Sequence, residues 1–234
     1  ILGAAFSYNH GSLDSTGDVL KTKNKYDSFG LHAYGAYAPV DRVNLIGTLS
    51  WMHNSSDITQ SINAAGFNKA DADVKTNLFS LGARAEANLP VGKANVIPHA
   101  GLRYVWAKSG SYDTKVDGKK VWGNTPDATN TFQLPIGVAV RGDIMTVSGW
   151  NVRPQADLTF IPQFGDTEQK TKLSNFNGVS DKLSGEFAGK FGTSVNLGVQ
   201  ADKGPTTFGV RYGFTAGTKG KADHAFKFEC RYRF

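Results

Sequence analysis

The chain has a single cysteine, Cys230, in 234 residues, so no disulfide can form within it. It has no CxxC and no Cys/His cluster, which leaves no thiolate metal site. Its five histidines, His10, His32, His53, His99 and His224, follow neither an H-x-H nor an i,i+4 spacing and read as structural polar residues. G-x-S-x-G, P-loop and G-x-G-x-x-G patterns are missing too, so the sequence points to no catalytic centre, metal or cofactor. No run approaches ~18 consecutive apolar residues, which excludes a transmembrane helix. The chain opens on ILGAAFSYNH, inside what reads as a strand and without the basic-then-apolar pattern of a signal peptide. It is therefore expected to be the C-terminal part of something longer.

What is present points to β-structure. Glycine is abundant at 27 residues and aromatics reach 12%, while Leu and Ile do not dominate. The formal charge is +6, with a pI near 9.3, which suits nucleic acid, an anionic membrane surface or a merely solvated basic face.

Period-two alternation recurs along the whole length. Ten runs carry it, at about 1–10, 28–37, 43–53, 75–88, 96–107, 131–142, 150–162, 190–201 and 206–216, and in the terminal FKFECRYRF. In the fourth run Phe79, Leu81, Ala83, Ala85 and Ala87 oppose Ser80, Arg84 and Glu86. In the last, Phe226, Phe228, Cys230, Tyr232 and Phe234 oppose Lys227, Glu229, Arg231 and Arg233. The same parity puts Arg103, Arg141, Arg153, Asp157 and Arg211 on polar faces. Cys230 is a small residue of the apolar face, a setting that does not activate a thiol.

The connectors alternate as well. APVDR, LPVGK, IMTVSG and DKGP are short, whereas residues 11–26, 55–73, 108–130 and 163–186 make long polar links. A meander with short turns at one end and long loops at the other is the layout of an outer-membrane barrel. In lipid every backbone donor and acceptor must be paired, so such a sheet closes on itself. A strand of ~10 residues, tilted by ~40°, crosses the ~25 Å apolar band. Aromatic residues fall into two girdles: Tyr8, Trp51, Trp106 and Phe160 toward the long loops, and Tyr37, Trp150, Tyr232 and Phe234 toward the short turns. A soluble β-protein with the apolar faces turned inward satisfies the alternation alone, but not the girdles.

VIPHAGLRY (96–104) and VRPQADLTF (152–160) share P-x-A-x-L, and they are followed in order by FGVRYGF and the terminal HAFKFECRYRF. This ordered set resembles the autotransporter translocator domain, the C-terminal barrel of type V secretion proteins, over all 234 residues. The resemblance implies an antiparallel up-and-down transmembrane β-barrel of ten strands here and twelve in the complete domain. The first two strands, a lumen-threading helix and a secreted passenger would then precede residue 1. It implies a Gram-negative outer-membrane location and anchoring and export of that passenger, with no catalysis. It also implies that Phe226, Phe228, Cys230, Tyr232 and Phe234 form the signal read by the barrel assembly machinery.

On this reading Arg84, Glu86, Arg103, Arg141, Arg153, Asp157, Arg211, Lys227, Glu229, Arg231 and Arg233 line a wet lumen. Some members of the family cut their own passenger with lumenal acids near an Asn, for which Asp157 is the mid-depth candidate. Lysines 21, 23, 25, 69, 108, 115, 119, 120, 170 and 172 belong to the long-loop side, facing lipopolysaccharide phosphates. That accounts for the basic pI without nucleic acid, which calls for a base-stacking platform as well. Two rivals stay open. One is a complete ten-stranded surface protease, using Asp14 and Asp18 near His10, or Asp57 near His53; the other is a small diffusion pore. Two geometric expectations follow: Arg211 meets Glu229 across the last hairpin, and strands 1–10 and 224–234 share few ladder bonds.

Overall fold

Alternating residues produce strands along the whole sheet. The computed structural model describes residues 1–15, 21–64, 67–175, 180–186, 189–218 and 222–233, which leaves Asp18 and Phe234 outside the described residues. Among these residues there are seventeen strands and no α-helix. They begin with β1 (Leu2–Asp14), β2 (Lys21–Val40), β3 (Val43–Ala64), β4 (Phe67–Ala87), β5 (Leu89–Val91) and β6 (Ala94–Ser109). The chain continues through β7 (Tyr112–Val116), β8 (Lys119–Pro126), β9 (Thr129–Gln133), β10 (Ile136–Gly142), β11 (Ile144–Met145) and β12 (Asn151–Gly165). It ends with β13 (Glu168–Asn175), β14 (Ser180–Glu186), β15 (Phe191–Lys203), β16 (Thr206–Gly217) and β17 (Ala222–Tyr232).

All pairings are antiparallel, and the long strands form a meander from β1 to β4, through β6, β9 and β10, to β12, β15, β16 and β17. The expected count of ten rises to seventeen for two reasons. Pro135, which has no N–H, separates β9 from β10 within the sixth expected strand, and Asn88 and Asp143 detach the short β5 and β11. The remaining extra strands, β7, β8, β13 and β14, lie in segments expected to be loops.

Those long links are largely strand. β2, β3 and β4 run for 20, 22 and 21 residues, about twice what a membrane crossing needs. β7 continues beside the upper part of β4, β8 pairs with β7, β13 with β8, and β14 with β13. The β7–β8 hairpin turns at Asp117 and Gly118, both at positive φ, as a two-residue turn matched to the strand twist requires.

The two faces of the sheet differ in the opposite sense to a soluble protein. Ile97 is the one buried hydrophobic residue among those described, while Ser28, Ser56, Ser80, His99, Thr131, Thr159 and Thr207 are buried on the same face. The apolar face is exposed, with Leu81 at 54%, Phe228 at 71% and Phe226 at 80%. A sandwich would bury that face against a second sheet, and here no second sheet covers it among the described residues, which disfavours the soluble alternative. The sheet encloses its polar face.

Along the outer face of β3, Val43, Leu45, Leu49 and Trp51 give way to Ser55, Asp57, Thr59 and Ser61. Trp51, Phe79 and Trp106 occupy one row across β3, β4 and β6, and mark that boundary. Phe29 packs edge-on against Trp51 at 5.4 Å between ring centroids. At the short-turn end Trp150 lies 6.2 Å from Phe208, with the Lys203 ammonium 5.9 Å from its ring centre.

Candidate functional site: the charged inner face

Strand parity, carried across the ladder by register, decides what the inner face contains. On β4 it presents Arg84 and Glu86, which pair at 3.3 Å. On β6 it presents Arg103, whose Nε donates to Ser80 Oγ at 3.0 Å. Arg153 of β12 meets Asp202 of β15 at 2.8 Å, and Asp202 also accepts from Gln200 and Thr207. Arg141, Asp157 and Arg211 line a single inner-face cavity of about 370 Å³ together with Arg84.

Asp157 is taken by neighbours. It accepts from Thr159 at 2.7 Å and meets His99 Nε2 at 2.9 Å. His99, set apart by the sequence as merely structural, has its side chain only 1% exposed. It reaches from β6 across β10 to β12 because Gly137 lies beneath it; a Cβ there would stand 2.7 Å from the ring. The signal for this contact was present as a His on the polar side of one run and a glycine on the polar side of the next.

The last hairpin corrects one expectation. Arg211 lies opposite Lys227, and Glu229 lies opposite Gly209, two residues from the expected register. Parity is preserved, since the turn is displaced by an even number, so the charges keep their face. Glu229 instead binds Arg231 of its own strand at 2.7 Å and approaches Lys227 at 3.9 Å. Arg211 turns the other way: Gln155, with its amide oxygen facing the guanidinium, accepts from Nη2 at 2.9 Å and Nε at 3.0 Å. Arg233 continues the same parity, with its backbone N–H bonded to Pro205.

On the outer face of β17, Phe226, Phe228 and Cys230 stand opposite Tyr212, Val210 and Phe208, and Tyr232 stands opposite Thr206. Phe226 packs against Tyr212, with ring centroids 4.9 Å apart and the planes tilted by 42°. Phe234 completes this series only in sequence, being outside the described residues.

Among the described residues, the acids and histidines of the protease alternative do not converge; Asp18 lies outside them. His10 binds Asp27 at 2.8 Å, and Asp14 sits 4.0 Å from Lys23. His53 binds Asn77, while Asp57 stands opposite Lys25 and Asp73. No group of three His, Cys, Asp or Glu with metal-binding geometry occurs among the described residues.

The edges of the sheet are the remaining geometric fact. β1 pairs with β2 and β17 with β16, and no ladder joins β1 to β17 among the described residues.

Comparison with known proteins agrees with this architecture. The chain is similar to the β-domain of the Bordetella autotransporter BrkA, at 14% identity and a TM-score of 0.63, covering all of this chain and 91% of that one. It is similar to the translocator domain of the autotransporter NalP from Neisseria meningitidis, at 18% identity and a TM-score of 0.65, covering all of this chain and 82% of that one. No curated protein sequence matches the chain. A family model described as "Autotransporter beta-domain" matches residues 1–213, so the match reaches its end within β16. The chain therefore belongs to the autotransporter β-domain family, the Gram-negative outer-membrane β-barrels that translocate an N-terminal passenger.

Proposed function

We propose that the polar inner face is the conduit and mooring for the passenger, and that the chain works by conduction and anchoring rather than by catalysis. The carrying observation is the inverted sheet: ionised side chains on the enclosed face and bare Leu, Phe and Val on the other. Ionised groups persist on an enclosed face only beside water or a polar polypeptide.

Three partners follow. The first is the assembly machinery, addressed by the apolar row Phe226, Phe228, Cys230, Tyr232 and Phe234; the exposure of the first two supports this. The second is lipopolysaccharide. Lys75 and Lys108 stand on the outer face just beyond Phe79 and Trp106, at the depth where ammonium groups meet lipid phosphates. The third is a pair of further strands closing the gap between β1 and β17, since unpaired edge groups in hydrocarbon cost several kcal/mol each.

The test is surface display of the full-length protein in intact cells, read by external protease. Display is expected to be lost on deletion of Phe234, with the chain accumulating unfolded in the periplasm; full display without Phe234 removes the assembly role. Cysteines placed at Lys119 and Lys93 report orientation in the same cells. An impermeant thiol reagent is expected to label position 119, and stronger labelling at 93 overturns the orientation.

A further inference from the structure

Above the aromatic row the outer face carries a cleft. Pairing with β4 shifts by one residue between Thr76/Ser109 and Ala72/Thr114, so the line of β6 and β7 holds an extra residue around Gly110 and Ser111. At this kink lies a cavity of about 600 Å³, within the size range of small-molecule sites. Asp73 and Lys75 of β4 line it, with Asp113 of β7, Gly123 and Thr125 of β8, and Ser174 of β13. Register gives these residues one facing: Lys115 stands opposite the outward Asp71, Asp113 opposite Gly123, and Gly123 opposite Ser174. Gly123 keeps the floor low, because a Cβ there would stand 3.1 Å from Ser174 Oγ.

The cleft mixes acceptors and donors. Asp113 is held by Lys120 at 2.6 Å, but the Asp73 carboxylate and the Lys75 ammonium have no partner among the described residues. A sugar matches such a mixture, because each of its hydroxyls both donates and accepts. Beside the cleft, β13 and β14 set Lys172 directly opposite Lys182, on the face that Thr125 shares. Neither ammonium has a partner among the described residues. Like charges directly opposite on paired strands destabilise a sheet, and a phosphate between them turns that repulsion into two charge-assisted bonds. Lys75 and Asp73 lie four and six residues beyond Phe79 on β4, about 10–15 Å above the aromatic row for a strand tilted by ~40°. That height is past the acyl chains, among headgroups, and the cleft faces away from the lumen.

We propose that this cleft seats the phosphorylated saccharide of a neighbouring lipopolysaccharide molecule, with sugar hydroxyls on Asp73, Thr125 and Ser174 and a phosphate between Lys172 and Lys182. The inference rests on the reading of Lys75 and Lys108 as lipopolysaccharide contacts and adds to it a saccharide subsite higher on the wall. Position selects this source: an outward-facing wall just above the bilayer meets the headgroups of the surrounding lipid before any soluble glycan. Occupancy braces β14, whose one ladder among the described residues is to β13.

The experiment titrates the full-length protein in detergent with lipopolysaccharide oligosaccharide freed of its acyl chains, with the same oligosaccharide stripped of phosphate, and with lipid A alone. The phosphorylated oligosaccharide is expected to bind the wild type. Lys172→Glu/Lys182→Glu weakens that binding about tenfold, and removing the phosphate from the ligand weakens it by a similar factor. Asp73→Ala, which removes a hydroxyl acceptor, and Gly123→Leu, which fills the floor, weaken both forms of the oligosaccharide. Lipid A, which meets Lys75 and Lys108 at the girdle, binds Lys172→Glu/Lys182→Glu and Gly123→Leu as it binds the wild type. Heat-modifiable gel migration checks that each variant is folded; the side chains of Lys172, Lys182 and Asp73 make no internal bond among the described residues, so their variants are expected to pass. Folded variants that bind the phosphorylated oligosaccharide as tightly as the wild type overturn the seat. Inorganic phosphate that competes as well as the oligosaccharide overturns it too, leaving a site for any anion. Lipid A that fails to bind the wild type refutes the girdle contacts instead, whereas lipid A binding without any oligosaccharide binding refutes only the seat.

Discussion

Below the Trp51–Phe79–Trp106 row the outer face of β3 and β4 is Leu, Val, Ala and Gly; above it the same strands present mainly Ser, Thr, Asp and Lys. The inner face carries polar residues on both sides of the row, Arg84, Glu86 and Ser80 below it and Thr76 above it on β4, with Leu78 between Ser80 and Thr76. The change is thus one of solvent outside, while the interior is wet throughout. The ladder responds to that difference. Register shifts occur at Tyr37/Val40 by the turn, and at Ser61/Ala64 and Thr114/Lys115 in the upper part, where water can satisfy a displaced backbone group. Between these limits β3 and β4 pair without interruption from Val43/Ala87 to Ser61/Lys69, since a broken rung in hydrocarbon has no replacement partner.

A charge on the outer face separates the two regions most strongly. Leu81 stands between Leu49 and Tyr104 in the apolar zone, and Leu81→Arg is expected to cost roughly 2–4 kcal/mol. Ser55→Arg, on the same face above the row, is expected to change stability by at most about 0.5 kcal/mol. Urea titration of folding into phosphocholine vesicles measures both, and equal shifts break the comparison. A smaller loss is expected from His99→Ala on the inner face, roughly 1–3 kcal/mol, because it takes the His99 partner from Asp157 and leaves a hole over Gly137. His53→Ala, with its ring on the outer face, is expected to fall well below that. If the two histidines matter equally, the inner face is less ordered than its hydrogen bonds imply.

Facing was legible because parity has only two answers and charged residues choose one. Arg84, Arg153 and Lys227 therefore needed no knowledge of their partners. The upper strands were not legible, because their outer residues are as polar as their inner ones. Lys21, Lys23 and Lys25 alternate with Thr22 and Asn24, a pattern that reads as a soluble loop until a neighbouring strand supplies the ladder. Register was not legible either. Arg211 meets Lys227 rather than Glu229 because the length of a turn sets pairing in steps that side-chain parity does not sense. His99 required a third strand: its reach over Gly137 to Asp157 joins residues 58 apart in sequence, and nothing local in any one run announces it.

The smallest expected effect is on acid stability, and it falls on the upper region alone. Asp71 sits on the outer face of β4, where Lys69 at 3.0 Å is the main cause holding its carboxyl below the usual carboxylate range, with the Thr59 hydroxyl assisting at 3.1 Å. A carboxyl depressed by folding contributes stability that is present above its unfolded value of ~3.9 and lost as the pH falls through the folded one. Below about pH 4 the β4–β7 pairing at Ala70/Val116 and Ala72/Thr114 is therefore expected to loosen slightly. Amides at Leu81 and Leu49 in the apolar zone have no such carboxylate beside them and keep their protection. Hydrogen exchange followed from pH 6 to 3, with upper amides scaled to those two, measures the difference. Asp71→Asn is expected to abolish the pH dependence while leaving the exchange at pH 6 nearly unchanged, because the exposed Lys69 pair is worth little at neutral pH. If the Leu81 and Leu49 amides open as early as those at Ala70 and Ala72, the two regions unfold as one unit and the boundary at the aromatic row has no energetic meaning.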